Sequence, residues 1–251
     1  MSPILKAYYG DIFFEFLLQE KVSDAVILLP GFPSRNNYDG LMQIFKDRGF
    51  HVFFPRYKGT YESKGTFLKG NIIQEMNSFL KRLKSGTAIS LWDMSKKSFR
   101  INNLILIGGS FSGAIICSLA GRNKNIKKAI LFAPVWDFQE HNQNGDEQDL
   151  SYLTKFVKRA FQNCYRYNFD DITKQLKKYR EIFKDCYKNK ITIPILVFHD
   201  PKDKTVSINH TYTIQKDLPK IKLIKHSYGH GLSQEVFSKY SDEIMKFIKY
   251  D

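Results

Sequence analysis

A serine, an aspartate pair and a histidine, the side-chain types that together break acyl bonds, each stand directly after an apolar run in this 251-residue chain. Residues 103–119 read NLILIGGSFSGAIICSL, an apolar strand pattern, a turn of small residues and an apolar helix start, with Ser110 and Ser112 in the turn. A serine hydroxyl is a poor nucleophile near neutral pH, so acyl transfer needs a base beside it and donors aimed at the developing oxyanion. Asp200 and Asp203 follow the run IPILVFH, and His230 lies in Ser227-Tyr228-Gly229-His230-Gly231 after IKLIKH. His226 ends that last run without glycine context, and His51, His141, His199 and His210 lack any partner motif. A lone histidine is usually structural or solvated, and these five are read that way. Pro30-Gly31-Phe32-Pro33-Ser34, after AVILL, reads by itself as an ordinary turn.

The elements that must position these residues alternate along the chain. Residues 25–29, 51–54, 103–107, 128–133 and 193–198 are apolar at consecutive positions, as in strands buried on both faces, and 221–225 alternates as an edge strand does. Two further strands, in KAYYG and FFEFLL, are expected to extend the sheet in antiparallel fashion. Helical spacing recurs at Leu41, Ile44 and Phe45, at Ile72, Met76, Phe79 and Leu83, at Ile115 and Leu119, and over a final helix at 233–249 with Ser233 as its cap. The pattern predicts a mostly parallel central sheet with helices on both faces.

From 137 to 190 the alternation fails. A polar loop, QEHNQNGDEQD, precedes two amphipathic stripes, Leu150, Leu153, Val157, Phe161 and Cys164, then Ile172, Leu176, Tyr179, Phe183 and Cys186. We expect a helical cap insertion at 137–190, with 1–136 and 191–251 forming the core.

Composition narrows the class. Three cysteines in a chain of this size argue against a disulfide framework and for a reducing, cytoplasmic setting, and no secretory signal is evident at the amino terminus. The formal charge of +14 is dispersed in short pieces, so no specific nucleic-acid site is expected. Leu104 to Gly121 carries no charge, but Gly108-Gly109-Ser110 interrupts it, and a strand, turn and helix in a water-soluble core are expected in place of a membrane span. No phosphate loop or zinc spacing is present in the sequence.

In its strand-to-helix setting, Gly108-Gly109-Ser110-Phe111-Ser112-Gly113 resembles the nucleophile elbow of the α/β-hydrolase superfamily, whose pattern is GxSxG. Gly108 fits; Ser112 stands where the superfamily usually has glycine, and with Ser110 and Ala114 around it could itself be read as nucleophile. The resemblance selects Ser110, which follows the apolar strand at the distance the elbow requires. It implies an acid and then a histidine further along: Asp203, three residues before Val206, in preference to Asp200, and His230 in its Gly-His loop. Pro30-Gly31-Phe32 is similar to the oxyanion loop, with Pro30 replacing the usual histidine, which implies backbone N–H donors at Phe32 and Phe111. The resemblance covers about residues 24–249. It implies an acyl-enzyme on Ser110, no metal or organic cofactor, and a small-molecule ester or amide as partner, a carboxylic ester with an apolar acyl group being the expected substrate. An amidase, peptidase or thioesterase would use the same triad, and a hydrolase-like binding protein without turnover is the reading from another class.

Overall fold

The computed structural model describes residues 2–35, 37–136, 150–168, 174–176, 191–218, 220–232 and 234–250. Its eight-stranded sheet is built from β1 (Leu5–Tyr9), β2 (Ile12–Leu17), β3 (Ser23–Leu29), β4 (His51–Pro55), β7 (Ile101–Gly109), β8 (Ile126–Phe132), β9 (Ile195–His199) and β10 (Ile221–Lys225). Their spatial order is β1-β2-β4-β3-β7-β8-β9-β10. From β4 to β10 neighbours pair in parallel, whereas β2 is antiparallel to both β1 and β4. The early strands therefore form the expected antiparallel extension, and β10 lies at the expected edge. A separate two-stranded hairpin, β5 (Thr87–Ile89) and β6 (Lys96–Ser98), was not foreseen; three-residue strands are too short to show a period.

The unbroken apolar runs have a direct physical cause. Ala25, Ile27 and Leu29 of β3 point into one core while Val26 and Leu28 point into another. Leu104 and Leu106 of β7 are likewise split from Ile105 and Ile107, and Ile195 and Val197 of β9 from Leu196 and Phe198. On the first face lie α2 (Ile72–Leu83), α3 (Ser112–Ala120) and α5 (Ile208–Asp217). On the second lie α1 (Asp39–Asp47), α6 (Gln234–Lys239) and α7 (Ser241–Tyr250). Every strand between two covered faces must be apolar on both sides.

The expected final helix at 233–249 is two helices, broken at Tyr240, whose N–H still bonds to Val236 O at 3.0 Å. Ser233 lies outside the described residues, as do 137–149, 169–173, 177–190 and hence Cys186 and His141. Of the segment expected to form the cap, α4 (Leu150–Ala160) is a helix, and Val157 and Leu176 are buried in the first core. Among the described residues no helix is long and apolar enough to cross a membrane. The uncharged stretch at 104–121 is divided between β7, the turn and α3.

His51, His199 and His226 are buried, and burial is the chief reason that each imidazole is held below its ordinary value. The unfolded chain binds protons that the folded chain refuses, so this stability is complete above about pH 6.5 and drains away as acid approaches the lowered folded values. The urea midpoint is expected to fall between about pH 7 and pH 5; a flat midpoint across that interval would contradict the burial argument.

Candidate active site

Ser110 sits between β7 and α3 with φ of +52°, in the left-handed region that non-glycine residues seldom occupy. Neighbouring backbone holds it there. Its N–H donates to Phe132 O at 2.9 Å, and its carbonyl accepts from Gly113 N at 3.0 Å and Val135 N at 2.9 Å. A Cβ on Gly108 would lie 2.8 Å from Leu29 O and 2.2 Å from Ser112 Oγ, which is why a glycine stands two residues before the serine. Ser112 is fully buried and donates its hydroxyl to Gly109 O at 2.9 Å, so the alternative nucleophile is committed to the helix start. Ser110, by contrast, is half-buried.

The glycine Cβ positions also measure how the loops converge. A Cβ on Gly31 would lie 3.8 Å from Ser110 Cβ, which puts the 30–34 loop against the elbow. One on Gly109 would lie 3.3 Å from Leu232 N, so the loop carrying His230 packs on the residue before Ser110. Gly229 and Gly231, with φ of +77° and +82°, give that loop the left-handed turns on either side of the histidine.

His230 Nδ1 lies 2.7 Å from Asp203 Oδ2, while the other carboxylate oxygen accepts from Thr205 N at 2.8 Å and Val206 N at 3.0 Å. The Asp203 side chain has no exposure to solvent; that of His230 is 26% exposed. Burial pushes the Asp203 carboxyl up, but the hydrogen bond and charge of His230 and the two backbone donors outweigh it and hold it below its ordinary value. An ionised carboxylate at Nδ1 fixes the tautomer that leaves Nε2 free to take a proton. Asp200 does something else: Oδ1 accepts from Lys202 N and Oδ2 from Gly229 N, both at 2.8 Å, which ties the histidine loop to the acid loop.

No family model and no curated protein matches the chain. Solved structures do. An esterase from Exiguobacterium antarcticum is similar over 99% of this chain and 100% of its own, with 17% identity and a TM-score of 0.65. An esterase from Pyrococcus furiosus matches over 98% and 89%, with 15% identity and a TM-score of 0.66. The chain has the α/β-hydrolase fold. A serine hydrolase from Cycloclasticus zankles, 16% identical over 99% of both chains with a TM-score of 0.61, shares it.

Within this α/β-hydrolase fold the residues after α4 reach the loop at 30–34. Phe32 packs its ring on Phe67, Phe111, Tyr165 and Tyr167, with centroids between 5.0 and 6.2 Å apart. Tyr165 OH accepts from Ser34 N at 2.8 Å, and Tyr61 OH donates to Ser34 O. Arg166 donates to the carbonyls of Tyr61, Ser63 and Gly65, stitching the same segment to the loop after β4.

Sequence reasoning missed three supports. Asp200 precedes a proline and bonds two residues on, an Asx turn whose signal was legible. Buried His199 bonds Thr211 Oγ1 at 3.0 Å and Val206 O at 2.9 Å, and Trp136 Nε1 donates to the same threonine oxygen at 3.2 Å, so a polar chain floors the acid loop. Tyr165 meets Ser34 across 131 positions, and no local pattern announces that. Asp200→Ala is expected to lower kcat on an ester roughly tenfold through loss of histidine positioning, with KM within about twofold. Equal losses in kcat and KM would assign Asp200 a different role. For Tyr165→Phe, which frees Ser34 N–H, a fall in kcat of about tenfold is expected without loss of folding cooperativity; an unchanged kcat would show that the loop holds itself.

Proposed function

We propose that this protein is a serine hydrolase that cleaves carboxylic esters with an apolar acyl group through an acyl-enzyme on Ser110. The observation that carries this reading is the 2.7 Å bond between His230 and buried Asp203, on a loop packed against an elbow that holds Ser110 at positive φ. Ser110 Oγ attacks the ester carbonyl as His230 Nε2 takes its proton, and Asp203 stabilises the imidazolium. The backbone N–H groups of Phe32 and Phe111 hold the tetrahedral oxyanion. Collapse expels the alcohol, which receives the proton from His230. Water then repeats the cycle on the acyl-enzyme, with the carboxylic acid leaving and Ser110 regaining its proton.

The preference for an apolar acyl group rests on the aromatic cluster around Phe32. A cavity of about 190 Å³, lined by Phe67, Leu68 and Tyr167 together with Thr66, Lys69, Asn168 and Gln175, shares two rings with that cluster. The segment at 137–190 is proposed to be a cap over this region, since Tyr165 and Tyr167 already contribute to it. The esterases among the structural neighbours agree with the ester as scissile group.

Labelling by a fluorophosphonate probe is expected for the wild-type chain and is expected to vanish in Ser110→Ala. Asp203→Asn should retain fold and lose about 10³- to 10⁴-fold in kcat/KM on p-nitrophenyl esters. Persistent labelling of Ser110→Ala would refute the nucleophile, and faster turnover of peptide anilides or thioesters than of esters would reassign the bond cleaved.

A further inference from the structure

At the end of the sheet opposite the candidate site, the β5–β6 hairpin presents apolar side chains to solvent. Its tip is held together by its own polar groups. Ser90 N donates to Ser95 O at 2.9 Å, Trp92 N to Ser90 Oγ at 3.3 Å, and Ser95 N and Oγ both donate to Asp93 Oδ1, at 3.2 and 2.8 Å. Lys97 Nζ pairs with Asp93 Oδ2 at 3.0 Å, and Leu91 N anchors the tip to Lys6 O at 2.8 Å. Met94 is kept at φ of +56°, a conformation that a bulky side chain adopts only when its surroundings impose it.

Beside these mutually bonded polar groups, the apolar side chains of the tip face water. Trp92 is 88% exposed and Met94 70%, with Ile89 and Leu91 beside them. Val22 belongs to the same end, because Ser23 N donates to Arg100 O at 3.2 Å. These are five of the eight large apolar side chains exposed among the described residues. An ordered surface of this kind marks an interaction site.

Charge and shape choose the partner. Residues 81–100 carry six cationic side chains against one acid, Asp93, which is already paired with Lys97. Lys96 is exposed beside the tip, and Lys84 and Arg100 are exposed at the base of the hairpin. The two most exposed apolar residues, Trp92 and Met94, stand on the turn between β5 and β6, which suits a deformable phase better than a rigid complementary groove. Tryptophan at the polar–apolar boundary beside lysine and arginine is the combination that binds anionic lipid headgroups. We propose that the β5–β6 hairpin is a peripheral docking tip for an anionic bilayer surface. Lys6 lies near the start of β1, and Val22 and Arg100 immediately precede β3 and β7. Docking there leaves the carboxyl ends of the strands, and the candidate site, facing solvent.

The test is sedimentation of the full chain with phosphatidylcholine vesicles and with vesicles that contain roughly one quarter phosphatidylserine. The chain is expected to partition onto the anionic vesicles and far less onto the zwitterionic ones. Trp136 is buried, so a blue shift of tryptophan emission on binding reports Trp92. The double change Trp92→Ala, Met94→Ser is expected to weaken partition about tenfold or more while hydrolysis of a soluble ester is unchanged; Lys96→Glu with Arg100→Glu should weaken it on anionic vesicles alone. Ser110→Ala should bind like wild type, which separates this inference from the catalytic one. Equal partition onto both vesicle types, no blue shift, or undiminished binding of the Trp92→Ala, Met94→Ser chain would overturn it. So would self-association of the wild-type chain that Trp92→Ala abolishes, which would give the tip to a second copy.

Discussion

A carboxylate sealed from water must be answered by hydrogen bonds, and the arrangement of the candidate site follows from how Asp203 is answered. Two backbone donors, at Thr205 and Val206, satisfy one oxygen and bend the loop after β9. The other oxygen is left for His230, at 2.7 Å. Burial alone would favour a neutral acid; these donors reverse that and keep the group charged. The imidazole is thereby oriented by an anion that has no competing water. His199 beneath the loop, bonded to Val206 O and Thr211, prevents the loop from relaxing away from this geometry.

The sheet makes such a constraint useful. Because β3, β7, β9 and β10 run in the same direction, the loops that follow them emerge at one end. The 30–34 loop, the elbow, the acid loop and the histidine loop are those four connections. Separate cores on the two faces hold the strands in register, so the positions of Ser110 and His230 are set by packing many residues away. The strained φ at Ser110 survives because Phe132, Gly113 and Val135 bond its backbone on both sides.

Much of this was legible in the sequence for a stated reason. A strand buried on both faces has to be apolar throughout, so β3, β4, β7, β8 and β9 announced themselves, and IKLIK at 221–225 alternated because β10 has one covered flank. Motif chemistry was equally visible: the glycines beside His230 are demanded by local φ, and the small residues at 108 and 109 belong to a recurrent turn pattern although the backbone that crowds them comes from Leu29 and Phe132. Ends were less sharp, since β7 runs from Ile101 to Gly109 where apolar character suggested 103–107. What escaped was long-range or stabilised by loop hydrogen bonds. The β5–β6 hairpin has almost no hydrophobic period, and the bond of Tyr165 to Ser34 depends on two segments meeting only in the folded chain. The break at Tyr240 also escaped, because apolar spacing continues across it.

The grip of Tyr61 and Tyr165 on Ser34 has an evolutionary corollary. The stretch around Tyr165 and Tyr167 is simultaneously wall of the 190 Å³ cavity, through Tyr167, and brace of the loop that bears Phe32, through Tyr165. Under the proposed function, exchanging that stretch to alter selectivity would disturb the brace as well, so new preferences and preserved turnover would have to be selected together. Leu68 lines the same cavity outside the ring cluster around Phe32, so under the proposed function drift there is the route to new selectivity that spares the brace.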